Sequence, residues 1–344
     1  MKLLKRIAKL IGLLIIIGGL SIGVILAKKY YISYMAFESL NNTILDIKIT
    51  SDDLQAAQKL KTGKIQSKRL INLSEIPPLW KKLSKNNSLK NEYKYLKDVN
   101  FFVITYKSDS LLVNGIVAEP KRDGKFPVII FNRGGNKEIG KVAKAKTLYS
   151  LIFATSKLAN EGYVVIASCY RENDEFGGED IQDVLNLTET VKDIEKANPN
   201  RIGMLGWSRG GMMTYLALKK TDVITTAVIG NGPTDLSQLV TDRPEMETEV
   251  CAKLIPDYHK NKAEELKKRS VIYWADELSK KSSLLILCGT KDKRVNPNQA
   301  DKIAEKLVEM NYDFELRKFE TNHSFSNKKN ELNKLLIEWF KEKL

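Results

Sequence analysis

Residues 201–220 read RIGMLGWSRGGMMTYLALKK, and this stretch decides the fold. Its first five residues form a short apolar run that is typical of a buried strand, and its last ten residues favour a helix. Between them, a serine at position 208 lies at the strand-to-helix corner, flanked by Gly206 and Gly210. Such a corner is a nucleophile elbow, which is so tight that a side chain at either glycine would collide with neighbouring backbone. The sequence therefore predicts that the hydroxyl of Ser208 stands clear of a sheet, near the N-terminus of a helix.

A histidine and an acid are the partners that an elbow serine needs, and they follow it along the chain in the order acid, then histidine. The apolar run 283–288 predicts a late strand, and Asp292 follows in the loop at its carboxyl end, where open α/β sheets assemble their sites. The chain has two histidines, and only His323 comes after this acid. We therefore predict a catalytic triad of Ser208, Asp292 and His323.

Each partner has an alternative. Asp276 and Asp301 are the competing acids, but one precedes the strand and the other lies on the following helix. The other histidine, His259, lies among charged residues and is interpreted as a solvated surface residue. A packing or capping role is the alternative for His323.

Strand and helix patterns alternate from Asp98 to the C-terminus. The predicted strands cover 101–106, 111–118, 127–131, 163–168, 201–205, 227–230, 283–288 and 314–319. The predicted helices cover 144–160, 177–196, 211–220, 298–310 and 328–344, and an insertion runs from 231 to about 281. This alternation predicts an α/β domain over 98–344, with a mostly parallel central sheet and helices on both faces.

The N-terminal region predicts a membrane anchor. Residues 1–9 are basic, and residues 10–27 carry no charge and would span about 27 Å as a helix, close to the thickness of a bilayer core. We expect a single-pass transmembrane helix with a cytoplasmic N-terminus and an extracytoplasmic catalytic domain. A cleaved signal peptide with secretion is the alternative, although no small-x-small cleavage site follows.

Residues 28–97 are polar and rich in lysine and asparagine, which predicts a stalk that partly packs on the domain. Within it, residues 51–63 predict one short helix that begins at Ser51 and stops at Gly63. Residues 77–80, PPLW, predict an extended element or a turn.

Charge and cysteine content exclude several classes of function. The net charge is +14, of which six positive charges flank the apolar segment, and the other lysines are mixed with acids. No nucleic-acid motif is present, so we expect membrane lipid rather than nucleic acid as a partner. The three cysteines have no metal-ligand spacing, and Cys169 and Cys288 end apolar strands as small buried residues. We predict no metal and no cofactor.

From Asp98 onward the chain resembles the catalytic domain of the prolyl oligopeptidase family of serine peptidases, within the α/β-hydrolase fold. The stretches that carry the resemblance are 131–136, 170–178, 201–211, 269–275 and the loops around Asp292 and His323. Two departures concern the substrate. Residues 28–97 are too few for the β-propeller that filters substrates in the family's oligopeptidases. Arg133 also stands where those enzymes place a tyrosine beside the oxyanion.

The oxyanion of an acyl-transfer reaction needs donors placed in advance. The backbone N–H of Arg209, directly after the nucleophile, is predicted to be one. The second is predicted from the loop after strand 127–131, through the backbone N–H of Arg133 or Gly134, with a simple turn as the alternative for the glycines. Trp207 and Tyr170 are candidates for the substrate pocket, with core packing as the alternative for both.

Three functions remain open at this point. The first is a membrane-anchored serine hydrolase that cleaves peptide or ester bonds in a small-molecule or short-peptide substrate, with a peptidase favoured by the resemblance. The second is a carboxylesterase acting on small acyl esters through the same triad. The third is a non-catalytic interaction module that keeps the fold, which a complete triad argues against.

Overall fold

A computed structural model describes residues 51–135 and 139–344, together with the single positions Lys28, Met35, Glu38, Leu40 and Leu45. Of residues 139–142 it describes the backbone only. The predicted basic segment 1–9 and the predicted transmembrane segment 10–27 lie outside the described residues. Among the described residues, no helix combines the length and the apolar character that crossing a bilayer requires.

A nine-stranded sheet forms the centre of the molecule. Its strands in chain order, β1 to β9, are Ile65–Ile71, Val99–Ser108, Leu111–Pro120, Phe126–Asn132, Val164–Ser168, Ala197–Trp207, Ile224–Gly230, Ser283–Gly289 and Phe314–Phe319. Across the sheet they lie in the order β1-β2-β3-β5-β4-β6-β7-β8-β9. The pairs β1–β2, β2–β3 and β3–β5 are antiparallel. The other five pairs, from β5–β4 across to β8–β9, are parallel. The predicted mostly parallel sheet is confirmed.

Helices cover both faces of this sheet. The α-helices of five or more residues are Ser51–Gln58, Pro77–Leu83, Ile139–Glu161, Ile181–Leu185, Arg209–Lys220, Leu236–Asp242, Tyr258–Lys268, Asn298–Glu309 and Lys329–Lys343. The remaining helical segments are α-helical turns of three or four residues or are 3₁₀- and π-helical: Leu73–Glu75, Asn91–Asp98, Leu187–Thr190, Val191–Asp193, Pro244–Met246, Glu247–Cys251, Ala252–Leu254, Val271–Tyr273 and Ala275–Glu277. A hairpin of two-residue strands, Ser84–Lys85 and Ser88–Leu89, completes the structure outside the sheet.

The sheet separates two hydrophobic cores. One core contains buried side chains of the elbow helix Arg209–Lys220, the insertion and the helix Asn298–Glu309. The other contains buried side chains of the helices Ile139–Glu161 and Lys329–Lys343. Alternate residues of the central strands enter opposite cores, as in β4, where Ile130 belongs to the first and Phe131 to the second. The predicted coverage of both faces is confirmed.

Part of the predicted stalk before residue 98 joins the sheet. Strand β1 pairs antiparallel with β2 at the edge of the sheet, and Ile71 aligns with Phe101. Ile76, Leu79 and Leu83 are buried in the same core as the helix Ile139–Glu161. These residues of the predicted stalk therefore pack on the sheet, where they add an edge strand and apolar side chains to a core that the rest of the chain supplies.

Two local predictions were wrong. Residues 77–80 begin the helix Pro77–Leu83, since proline fits the first helical turn, where its missing N–H has no acceptor anyway. The single helix predicted over 177–196 is instead three short turns from Ile181 to Asp193.

Candidate active site

Ser208 lies at the corner between β6 and the helix Arg209–Lys220, as predicted. Its backbone is in the left-handed region, with φ 56° and ψ −123°, a conformation that costs a non-glycine residue about 1–3 kcal/mol. A Cβ at Gly206 would collide with the carbonyl oxygen of Gly210, and a Cβ at Gly210 would collide with that of Asn132. Both predicted elbow glycines are therefore required by close backbone approach. Strained residues cluster at functional sites, which is consistent with a nucleophile here.

Asp292 and His323 form a hydrogen-bonded pair at the carboxyl ends of the strands. Nδ1 of His323 lies 2.7 Å from Oδ2 of Asp292, and only 8 % of each residue is exposed. Oδ1 of Asp292 accepts hydrogen bonds from the backbone N–H of Arg294 at 2.7 Å and of Val295 at 3.2 Å. Both carboxylate oxygens thus have partners, so the orientation of the imidazole is fixed.

The competing residues lie elsewhere. His259 is exposed on the helix Tyr258–Lys268 and Asp276 is exposed in a turn, while Asp301 pairs with Lys318. None of these three contacts His323 through a side-chain hydrogen bond in the described structure.

Asn231 positions the histidine loop, a role that the sequence analysis missed. Its Nδ2 donates to the carbonyl oxygen of His323 at 2.9 Å, and its Oδ1 accepts from the backbone N–H of Gly289 at 2.8 Å. The indole Nε1 of Trp207 donates to the same His323 carbonyl at 3.0 Å. The ends of β6, β7 and β8 are therefore tied to the loop that carries the imidazole. The only signal in the sequence is a polar residue directly after the strand 227–230.

A cavity of about 390 Å³ opens beside Ser208. Ser208 and His323 both line it, together with Gly134 and Trp207. The structure thus brings the predicted nucleophile, the predicted base and the loop after β4 to one cavity. The ring of Trp207, a candidate for the substrate pocket, packs edge-on against Phe325 beside this cavity.

Tyr170 is buried in one of the hydrophobic cores and is not among the residues that line this cavity. The ring is 5 % exposed and lies between two guanidinium groups, 5.2 Å from Arg133 and 4.7 Å from Arg209. Burial raises the pKa of Tyr170 to about 12, so its phenol stays protonated. The alternative of core packing holds for this residue.

The loop after β4 places Gly134 directly over the nucleophile. A Cβ on Gly134 would lie 3.0 Å from the carbonyl oxygen of Trp207 and 3.2 Å from Cβ of Ser208. The side chain of Arg133 is 1 % exposed and points away into hydrogen bonds with Thr147 at 2.8 Å and the carbonyl oxygen of Cys169 at 3.3 Å. Its Nη1 also donates to the carbonyl oxygen of Gly134 at 3.2 Å, so the Arg133 side chain supports this loop.

The side chain of Arg209 is buried in an ion-pair cluster that the sequence analysis also missed. Its Nη2 lies 2.7 Å from Asp174 and 2.8 Å from Asp180, and its guanidinium packs over the ring of Phe176 at 5.1 Å. Burial opposes the charge, but the two carboxylates outweigh it and raise the pKa of Arg209. The cluster fixes the first residue of the elbow helix to the loop 174–180.

Removing this guanidinium is expected to destabilise the fold. Arg209→Met leaves two carboxylates buried without their cation, which should lower the free energy of unfolding by about 3–5 kcal/mol. Urea unfolding followed by circular dichroism measures the loss. Lys192→Met is the control, because Lys192 and its partner Glu189 form an exposed ion pair outside this cluster. A loss below about 1 kcal/mol for Arg209→Met would contradict the interpretation.

The cysteines are isolated thiols. Cys169, Cys251 and Cys288 are all free and buried, and burial raises the pKa of each to about 11. No group of three or more potential metal ligands occurs among the described residues.

Ellman's reagent is expected to find no reactive thiol in the native protein at pH 8. Only about one thiol in a thousand is ionised three pH units below its pKa, and the sulfur atoms are shielded as well. All three cysteines should react in denaturant. Fast labelling of any of them in the folded protein would show that its surroundings differ from those described.

Comparisons with known proteins find one family and several relatives of this chain. A family model described as the prolyl oligopeptidase family matches residues 153–344. An uncharacterized peptidase of Bacillus subtilis, YtmA, is 27% identical over 255 residues, which cover 71% of this chain and 95% of YtmA.

Solved structures show the same fold. An acylaminoacyl peptidase of Pyrococcus horikoshii is 23% identical with a TM-score of 0.59, over 74% of this chain and 43% of that protein. The chain thus spans less than half the length of that peptidase. Esterase B of Lactobacillus rhamnosis is 15% identical with a TM-score of 0.55, over 72% of this chain and 86% of the esterase.

Proposed function

The chain belongs to the prolyl oligopeptidase family and is a serine hydrolase, and on that premise we propose that Ser208, His323 and Asp292 are its catalytic triad. The observation that carries the proposal is the 2.7 Å hydrogen bond between His323 and Asp292 beside a cavity that Ser208 also lines. The nucleophile, base and orienting acid of acyl transfer are then assigned in the order that a nucleophile elbow requires.

The first half of the proposed reaction forms an acyl-enzyme. Nε2 of His323 takes the proton of the Ser208 hydroxyl as Oγ attacks the carbonyl carbon of the substrate. Asp292 holds the proton on Nδ1, so that Nε2 is free to accept one, and it stabilises the imidazolium that forms. The imidazolium then protonates the leaving amine or alcohol as the bond from it to the acyl carbon breaks.

The second half is hydrolysis of the acyl-enzyme. His323 takes a proton from water as the water oxygen attacks the acyl carbon, and it returns a proton to Oγ of Ser208 as the ester bond breaks. Free carboxylic acid and the free serine are the products. In both halves the carbonyl oxygen becomes negatively charged in the tetrahedral intermediate, and this charge must be stabilised.

Two backbone N–H groups are proposed to bind that oxygen. Arg209 is the first residue of a helix, so its backbone N–H has no acceptor within that helix. The N–H of Gly134 or of Arg133 is the second, since this loop lies against Ser208. Loss of one such donor costs about 3 kcal/mol in the barrier.

We assign a peptidase activity on the family match, with a carboxylesterase as the alternative, because both reactions use one triad. Hydrolysis of aminoacyl anilides and of short acyl esters, measured on the same preparation, tests the assignment. Cleavage of anilides supports a peptidase. Cleavage of esters alone would end the peptidase assignment, and cleavage of neither by folded protein would oppose the hydrolase mechanism itself.

We also propose that residues 10–27 anchor the protein in the cell membrane with the catalytic domain outside. The support is their uninterrupted apolar composition behind a basic N-terminus. The full chain is expected in the membrane pellet after carbonate washing, and a variant lacking residues 1–29 in the supernatant. Expression of the full chain that yields protein in the medium without its N-terminal segment would favour a cleaved signal peptide instead.

A further inference from the structure

The cavity beside Ser208 lies between two helices on one face of the sheet. Four residues of the helix Ile139–Glu161 line it, and four of the helix Lys329–Lys343 face them. The first four are Tyr149, Ser150, Phe153 and Ala154, and the second four are Lys329, Leu332, Asn333 and Leu336. The insertion 231–281 packs in the core on the opposite face of the sheet. No residue of the insertion is therefore among the described residues that line this cavity.

The walls are mostly apolar and long enough for an extended chain. Phe131, Leu205 and Trp207 from the ends of the strands add to the apolar residues of the two helices. The lining runs over eight residues of a helix, from Lys329 to Leu336, and the rise between these two residues is about 10 Å. A linear chain of about eight carbon atoms has roughly that length, with C–C bonds near 1.5 Å.

The charged side chains at the described part of the rim are cationic. Of the described residues that line the cavity, Arg294 and Lys329 carry a formal charge, and both are exposed. Lys82 lies just beyond, with Nζ 4.6 Å from the ring centre of Tyr149 and 4.7 Å from that of Phe153. Burial and the nearby Lys329 lower the pKa of Lys82, so the cations share one electrostatic environment. Such a rim favours neutral or anionic groups and opposes a cationic amine.

From these features we infer that the cavity holds a linear, uncharged apolar chain of up to about eight carbons on the acyl side of the scissile bond, in a peptide or in an ester. The inference rests on the proposed function, because Ser208 must attack the carbonyl at the head of this chain. It adds a substrate class that the family match does not supply. Burial of each added methylene is expected to raise kcat/KM about fourfold until the cavity is full.

Hydrolysis of p-nitrophenyl esters from acetate to decanoate measures this dependence. The value of kcat/KM should rise to a maximum near octanoate, and an 8-aminooctanoyl ester should react at least tenfold more slowly than the octanoyl ester. A flat series, or equal rates for the charged and uncharged chains, would overturn the inference. An increase of kcat/KM with the length of the alcohol in a series of acetyl esters would also overturn the inference, because the cavity would then hold the leaving group.

A blocking variant ties the preference to this cavity. Ala154 is exposed and lines the cavity, so Ala154→Trp fills the space without displacing buried atoms. It should lower kcat/KM for the octanoyl ester at least tenfold and leave the acetyl ester within about twofold. Lys334→Trp is the matched control, because Lys334 is exposed on the facing helix outside this lining. Equal effects of the two variants on the octanoyl ester would contradict the inference.

Binding separates failure of this inference from failure of the proposed function. Calorimetry should detect octanoate binding to the wild-type protein and weaker or no binding of octylammonium, with octanoate binding lost in Ala154→Trp. If octanoate binds in this way but no ester or anilide is hydrolysed, the cavity assignment stands and the hydrolase mechanism fails. If esters are hydrolysed but octanoate and octylammonium bind alike or not at all, the cavity assignment fails and the mechanism stands.

Discussion

Ser208→Ala is expected to lower kcat on any accepted ester or anilide by about 10⁴–10⁶-fold, while the folded structure is retained. Without Oγ no acyl-enzyme forms, and the remaining rate comes from the oxyanion donors acting on water. The side chain is half-buried at the cavity and carries no fold-defining hydrogen bond in the described structure, so the melting temperature should move by only a few degrees. Initial rates over a range of enzyme concentrations, with a thermal melt of the same sample, measure both quantities.

Ser324→Ala is the matched control for this variant. Ser324 lines the same cavity and follows His323 directly, yet it has no role in the proposed mechanism. Its kcat should stay within about threefold of the wild type. Comparable losses in both serine variants would mean that the cavity, rather than one nucleophile, sets the rate. Residual activity above about one per cent in Ser208→Ala would remove this serine from the mechanism.

Asp292→Asn is expected to lower kcat by about 10⁴-fold with little change in KM. The amide fits in place of the carboxylate, but its NH₂ group donates to Nδ1 and leaves the proton on Nε2 of His323. The imidazole then cannot accept the proton of Ser208. The imidazolium of the transition state also loses its negative neighbour. Steady-state kinetics on one ester and one anilide check the split between kcat and KM.

Asp276→Asn and Asp301→Asn are the controls for the acid, since both are carboxylates near the same strand in sequence. Neither should change kcat by more than about twofold. A loss in either that equals the loss in Asp292→Asn would overturn the assignment of the acid. Circular dichroism checks that Asp292→Asn is folded. If it is not, Asp292→Ala, which removes the carboxylate without adding an NH₂ donor, tests the same position.

The elbow and its partners were predictable because they depend on short-range patterns. Gly206 and Gly210 are demanded by a corner whose backbone atoms approach closely, and this demand is local to the sequence. Asp292 follows a strand of contiguous apolar residues, and His323 follows a strand in which apolar and charged residues are mixed, so the place of both at the carboxyl edge of the sheet could be inferred. Both residues then meet because parallel strands end at one edge.

Features that depend on distant residues were not predictable. Strand β1 buries mainly Ile71 and exposes three of its seven residues, so it has no hydrophobic periodicity, and backbone pairing with β2 holds it in the sheet. Arg209 finds Asp174 and Asp180 about thirty residues away, across a buried contact that no spacing rule encodes. The cavity likewise needs two helices that are far apart in the chain.

The central claim is that Ser208, activated by His323, is the nucleophile, and labelling with a fluorophosphonate followed by mass spectrometry tests it most directly. We predict one adduct per chain, on Ser208, that forms at least a hundredfold more slowly in His323→Gln and not at all in Ser208→Ala. Folded wild-type protein that takes no label, or that takes it on another residue, would contradict the account.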